Sequence, residues 1–236
     1  MSREGKRVAV VTGANRGLGY AIVRRLAEQG LHVVLTARSE QAAERAAAKL
    51  RDKGLSISSH QLDVTDPASV VRVMADTGTT YGRLDVLVNN AAVAIDRGQQ
   101  ASAVDMEKVR ATIDANLMGA WRCCTAAVPE MRKLDYGRIV NVTTHMSTFG
   151  QMGSGSVAYR VSKTGLNALT CILATELREA NILVNAASPG KIDTRMAYGK
   201  AEQSPDEAAD TFAWLATLPD DGPTGQLFHR REPLHW

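Results

Sequence analysis

Short apolar runs rich in β-branched residues recur along the 236-residue chain, and between them lie stretches whose apolar residues return at helical spacing. Residues 7–12 form the first run, and residues 17–30 follow with Leu18, Ile22, Val23 and Leu26 on one helical face. Strands are expected at 32–36 and 56–63 around an alanine-rich helix over 39–54, closed by a glycine. Asp66 and Pro67 supply an N-cap and an N1 proline for a helix to about residue 82, and 84–88 is continuously apolar, as in strands buried on both faces. Two helices over 102–115 and 116–134 precede a strand over 138–144. A loop rich in Gly, Ser and Met leads to a long helix over 158–180 and a sixth strand over 182–187. Ser204-Pro205-Asp206-Glu207 spells a capping box for a helix ending near 218–219, and 225–228 offers a last short strand. Strands separated by helices in this way predict an α/β fold with a doubly wound parallel sheet, in a single domain over 1–236.

Composition narrows the function. Hydrophobic residues make up 44% of the chain and charged residues 22%, far from the signature of disorder. A net charge of +3 is too small for nucleic-acid or membrane binding to be the main activity. The first fifty residues nevertheless hold nine basic and four acidic side chains, which places an anionic ligand at the N-terminal end. Cys123, Cys124 and Cys171 lack the paired spacings that bind zinc, so no metal site is expected, and reduced thiols fit a cytoplasmic protein. No apolar run reaches the ~18 residues of a membrane span.

The first strand-to-helix turn reads Thr12-Gly13-Ala14-Asn15-Arg16-Gly17-Leu18-Gly19. Glycines there allow a tight turn, let backbone approach a pyrophosphate and let the helix pack on the sheet, while the helix N-terminus offers free N–H groups. Glycines also mark such turns without any ligand. Position favours the phosphate reading, because the cluster opens the first strand–helix unit. The second strand ends in Ala37-Arg38, where folds that prefer NAD usually place an acid. Arg16 and Arg38 are suited to a 2′-phosphate; the competing reading leaves Arg38 in solvent and gives the ribose to Glu40.

Tyr159 and Lys163 lie four apart in the long helix, on one face. A free tyrosine, pKa ~10, is a poor acid or base near neutrality, and lowering it by ~3 units requires ~4 kcal/mol. An ammonium at ~4 Å supplies that at an effective dielectric near ~20 but only ~1 kcal/mol in bulk water. The pair therefore works only where it is partly buried.

Together these residues resemble the short-chain dehydrogenase/reductase family over essentially the whole chain. The resemblance rests on the 12–19 turn, Asp63-Val64, Asn89-Asn90-Ala91, Asn116, the Tyr159/Lys163 pair and Pro189-Gly190, in that order. The Asn-Arg-Gly turn, the Thr-Ala-Arg strand end and the C-terminal run from Ser204 through Gly222-Pro223-Thr224-Gly225-Gln226 to Trp236 are similar to its carbonyl-reductase branch, which is typically NADPH-dependent. The resemblance implies a Rossmann fold and reversible, NADP(H)-dependent reduction of a ketone or aldehyde. Tyr159 would be the proton donor, and Lys163 would lower its pKa and bond the nicotinamide ribose. Asn116 would hold a water linking Lys163 to solvent. Cofactor contacts would come from Gly13, Asn15, Arg16, Gly17, Leu18, Gly19, Arg38, Asp63, Val64, Asn90, Ala91, Pro189, Gly190, Ile192 and Thr194, with Asp63 facing the adenine ring, Asn90 the adenosine ribose side and Thr194 the nicotinamide carboxamide or the phosphates. Many relatives form a homodimer or homotetramer through the helices before the fifth strand and the long 158–180 helix, while the carbonyl-reductase branch includes monomers; of these, a dimer or tetramer is expected here.

The chain departs from the family pattern in three places. Thr144 stands where the family has its catalytic serine, with Ser147 as a competing hydroxyl; Ala92 replaces a glycine; and Lys191-Ile192-Asp193-Thr194-Arg195-Met196 exchanges an acid and a base. Only nine residues separate Thr194 from Ser204, which implies a short lid. The expected pocket is open, lined by the 146–152 loop, Met196 and Tyr198, and suited to bulky apolar or aromatic ketones. A non-catalytic NADP(H)-sensing or scaffold protein of the same fold is the alternative; its usual mark, a lost Tyr or Lys, is absent. His145 takes a minor place beside Tyr159, Cys123-Cys124 reads as packing, and Trp121, Trp214 and Trp236 read as core or interface anchors.

Overall fold

The computed structural model describes residues 5–193 and 201–236. Its sheet has eight strands in the order β3-β2-β1-β4-β5-β6-β7-β8. They are β1 (Val8–Val11), β2 (His32–Ala37), β3 (Ile57–Gln61), β4 (Val86–Asn89), β5 (Gly137–Val142), β6 (Ile182–Ala187), β7 (Leu227–His229) and β8 (Glu232–Leu234). The first seven run parallel, as the alternation predicts. The eighth is a correction, because β8 folds back antiparallel on β7. A turn through Arg230 and Arg231, both at positive φ, makes that reversal, and neither residue is a usual turn signal.

Alternating strand residues feed two cores. Ala9, Val11, Val33, Leu35, Val86 and Val88 face α1 (Gly17–Glu28), α2 (Glu40–Arg51) and α7 (Pro205–Ala216), whose Leu26, Leu50 and Phe212 are fully buried. Val8, Val10, Val34, Leu87 and Ile139 face α3 (Pro67–Tyr81), α5 (Gly119–Lys133) and α6 (Val157–Glu176). Burial on both faces explains the uninterrupted apolar runs of the central strands. The chain leaves β1 in one direction toward β2 and β3 and resumes on its other side at β4, so a crevice opens beyond the carboxyl ends of β1 and β4.

Local signals placed most helices within a few residues. Ser39, Asp66, Asp105 and Ser204 cap α2, α3, α4 (Met106–Ile113) and α7 with their side chains, and the 204–207 capping box is complete. The two helices expected over 102–115 and 116–134 instead form one run, in which a π turn, Asp114–Met118, joins α4 to α5. Buried Asn116 lies within that turn, and no periodicity argument anticipates it. Among the described residues no helix is long and apolar enough to cross a membrane, and no cluster of acids, histidines or cysteines could hold a metal ion. Cys123 and Cys124 are buried in the core, and burial, the larger cause, raises both thiols well above their ordinary pKa. Trp214 packs edge-on against Phe228, whereas Trp121 and Trp236 are partly exposed and do not belong to the core.

At the end of the sheet remote from the crevice, the Arg138 side chain is wholly buried. Its guanidinium donates to the carbonyls of Leu218, Gly137 and Asn181 and to Asp220, and it lies 4.1 Å from the Tyr136 ring centroid, with Arg7 also against that ring. It ties β5 to the loops that follow α7 and precede β6. Arg138→Met is expected to lower stability by about 2–4 kcal/mol, because buried carbonyls lose their donors, and thus to lower Tm by roughly 2–4 °C per kcal/mol. Thermal and urea unfolding measure this directly.

Candidate active site

A cavity of about 830 Å³ occupies the crevice and gathers most of the residues singled out from the sequence. At one end Gly13, Asn15, Arg16, Gly17, Leu18 and Gly19 form its wall with Arg38, Asp63 and Val64. A Cβ on Gly13 would stand 2.9 Å from the Ala91 backbone, and one on Gly19 would meet the Asn90 amide at 2.5 Å. These glycines are therefore required by close packing as well as by any ligand. Asn90 fixes the same junction: its amide donates to the carbonyls of Thr12 and Gly13, while Thr12 Oγ1 accepts from the Asn90 and Ala91 N–H groups. Asp63 Oδ1 accepts from Thr65, which orients the carboxylate at the mouth.

The N-terminus of α1 differs from those of α2, α3, α4 and α7. Arg16 occupies its N-cap position without a side-chain bond, and its first turn carries no acid, so its free N–H groups face the cavity uncapped. Arg16 and Arg38 are both exposed, both line the cavity, and have no ion-pair partner among the described residues. Glu40, the competing ribose reader, lies outside the lining. Uncapped amides with two free guanidiniums suit a phosphorylated ligand.

At the other end, Thr144, Tyr159 and Lys163 share the wall with Pro189, Gly190 and Ile192. Thr144 Oγ1 accepts from the Met146 N–H at 3.3 Å, which leaves its proton free to be donated. Ser147 is 2% exposed, does not line the cavity, and donates its proton to the Thr144 carbonyl at 2.6 Å while accepting from Asn167. Of the two hydroxyls, only that of Thr144 reaches the cavity.

Lys163 is 1% exposed and donates to the Val142 carbonyl at 2.7 Å; burial brings its pKa down to about 7. The helix bearing it is held from outside. Ser156, at its N-cap, has a left-handed φ of 50° and makes no side-chain capping bond to the helix, and buried Asp96 accepts the Ala158 N–H at 2.6 Å. An asparagine ladder beneath the site runs from Asn89 to Asn141 and on to Thr170 of α6. Asn116 lies outside the lining: its side chain exchanges two bonds with the Val93 backbone and donates to Ser162. Thr194, Met196 and Tyr198 fall outside the described residues.

Three groups here carry no signal in the sequence. His229 lines the cavity beside His145, their ring centroids 4.4 Å apart, and Ser188 lies between them. Burial, then His229, lowers the His145 pKa below its ordinary value. Asp96 is the third, and no motif marks a cap supplied from 62 residues away.

Residues 7–205 match the family model described as short chain dehydrogenase. The chain belongs to the short-chain dehydrogenase family. It is 34% identical to carbonyl reductase [NADPH] 1 of Sus scrofa over 276 aligned positions, covering 98% of this chain and 94% of that protein. It is 32% identical to (+)-neomenthol dehydrogenase of Arabidopsis thaliana, over 98% and 99% of the two chains. Both alignments are longer than this chain, so those dehydrogenases hold inserted segments that it lacks. Among solved structures, a metagenomic short-chain oxidoreductase in complex with NADP superposes with a TM-score of 0.80 and 32% identity, over 92% and 93% of the two chains.

The buried Lys163 of this dehydrogenase yields a stability prediction. A lysine whose folded pKa lies near 7 and whose unfolded pKa is 10.5 binds fewer protons folded than unfolded between those values, so its contribution to stability rises with pH across that window. Lys163→Met, similar in volume, is expected to raise Tm at pH 7 by a few degrees, with the gain shrinking toward pH 10. Scanning calorimetry of the ligand-free protein at both pH values tests this.

Proposed function

We propose that the chain is an NADP(H)-dependent oxidoreductase that reduces a ketone or aldehyde to an alcohol, reversibly, with Tyr159 as proton donor. One observation carries the reading: a single cavity has two free arginines and an uncapped helix N-terminus at one end and Thr144, Tyr159 and Lys163 at the other. The named relatives and the NADP complex support the same cofactor. Bound NADPH would supply the hydride.

The chain's own residues do the rest. Arg16 and Arg38 would hold the 2′-phosphate, and the uncapped α1 N-terminus would meet the pyrophosphate. Thr144 donates to the substrate carbonyl, stabilising the negative charge that develops there. Tyr159 gives its proton to the same oxygen. The Lys163 ammonium favours the resulting phenolate, and an anionic ligand in the cavity favours the ammonium in turn, offsetting the burial that lowers the lysine pKa. Because the Asn116 amide is committed to Val93 and Ser162, any water it holds would be reached through the π-turn backbone. Bulky apolar or aromatic ketones fit a wall that includes Met146 and Ala92.

Tyr159→Phe is expected to lose at least ~10²-fold in kcat while retaining NADPH affinity, because its hydroxyl acts in proton transfer. Thr144→Ala should lose ~10²–10³-fold, and Ser147→Ala far less. Steady-state reduction of aryl ketones, with NADPH binding followed by fluorescence, reads all three. Arg38→Asp should weaken NADPH by roughly ten- to a hundredfold and leave NADH nearly unchanged; titration of both cofactors decides it, and an unaltered preference would show that Arg38 does not read the phosphate.

A further inference from the structure

The hydrogen bonds around Ser188 fix the tautomers of two cavity histidines. Ser188, 1% exposed, follows β6, and its Oγ accepts from the backbone N–H groups of His145 at 3.0 Å and Gly190 at 3.2 Å. A hydroxyl has two acceptor lone pairs and one proton. Both lone pairs are occupied, so the Ser188 proton goes to His145 Nδ1 at 2.6 Å. The neutral His145 ring therefore carries its own proton on Nε2. His229 obeys the opposite constraint, because its Nδ1 lies 3.0 Å from the Ser188 carbonyl, which can only accept. Its proton is on Nδ1, and the neutral ring leaves Nε2 as a bare acceptor. Neither Nε2 has a hydrogen-bond partner among the described residues.

Both rings line the cavity, their centroids 4.4 Å apart, and between them they hold one donor and one acceptor without a hydrogen-bond partner among the described residues. A single oxygen that both accepts and donates satisfies both. A carboxylate would face the bare His229 nitrogen, and a second carbonyl would satisfy His145 alone. His145 directly follows Thr144, so the place lies within a few carbons of the reacting carbonyl. We propose that His145 and His229 form a hydroxyl-recognising subsite, and that the preferred substrates are hydroxyketones. This inference rests on the carbonyl-reductase reading and deepens it. The apolar wall then holds the carbon skeleton while the histidine pair sets where along it an oxygen is accepted. His145 and His229 are specificity residues, distinct from the proton-transfer group Tyr159.

The test compares hexan-2-one with its 3-, 4-, 5- and 6-hydroxy derivatives and with hexane-2,5-dione, at pH 8, where free imidazoles are neutral. The readout is the ratio of kcat/KM for each compound to that for hexan-2-one, which cancels any general loss in a variant. At least one hydroxyketone is expected to be favoured tenfold or more, through a lower KM, over both hexan-2-one and the dione. His145→Phe and His229→Phe should each bring that ratio to within about twofold of one. His145→Gln, which can place an amide donor near the Nε2 position, should keep several-fold of it. NADPH binding by each variant shows that it is folded. No preference in the wild type, an equal preference for the dione, or a preference that survives both phenylalanine variants would overturn the subsite. If the wild type bound NADPH but reduced none of these compounds or any aryl ketone, the carbonyl-reductase reading itself would fail, and the subsite with it.

Discussion

A lysine enclosed by protein, with one protein carbonyl as its acceptor, is the feature on which the Thr144–Tyr159 end of the cavity depends. Taking such a charge from water costs several kcal/mol after relaxation, and one hydrogen bond does not repay it. The two cores on either face of the sheet supply the stability that tolerates this cost, and α6 is tied to the rest of the fold at several points along its length. Asp96 anchors the helix at its start, the asparagine ladder fixes its middle, and apolar contacts from Leu166 to Leu173 seal its length. An ammonium buried in this way would act several times more strongly on a neighbouring phenol than the same charge in water.

The opposite half of the cavity rests on a different constraint. Three chain segments approach so closely at the β1–β4 junction that two positions admit no side chain, and Asn90 spends its amide on holding them together. The helix end produced there is left without an internal cap, whereas α2, α3, α4 and α7 close theirs with Ser or Asp. Leaving those N–H groups unsatisfied is tolerable because they face the cavity, where water or an anion can meet them.

Much of this was legible from sequence because it depends on local chemistry. The order of strands and helices followed from alternating periodicities, the helix starts from Ser39, Asp66 and the 204–207 box, and the glycine turn from its place after the first strand. What escaped depends on contacts distant in the chain. The π turn at Asp114–Met118 continues a helix that periodicity divides in two, and the Asp96 cap joins residues far apart. His229 belongs to a strand only three residues long, and its importance arises from Ser188, reached only once β6 and β7 pair. The turn after β5 directs the Ser147 hydroxyl inward, a difference from Thr144 that the spacing of the two residues does not foretell.

The strand that reverses at the C-terminus has a consequence for self-association. A parallel sheet ending in β7 would present a row of unmatched backbone groups, a template for another chain. Here β8 covers that row, and it brings Pro233, which has no N–H to offer, opposite Phe228. Its first residue, Glu232, adds an exposed charge along the same border. Accretion of foreign strands is discouraged at this margin by a three-residue hem, which leaves contact between copies at this end of the sheet to the neighbouring helical faces.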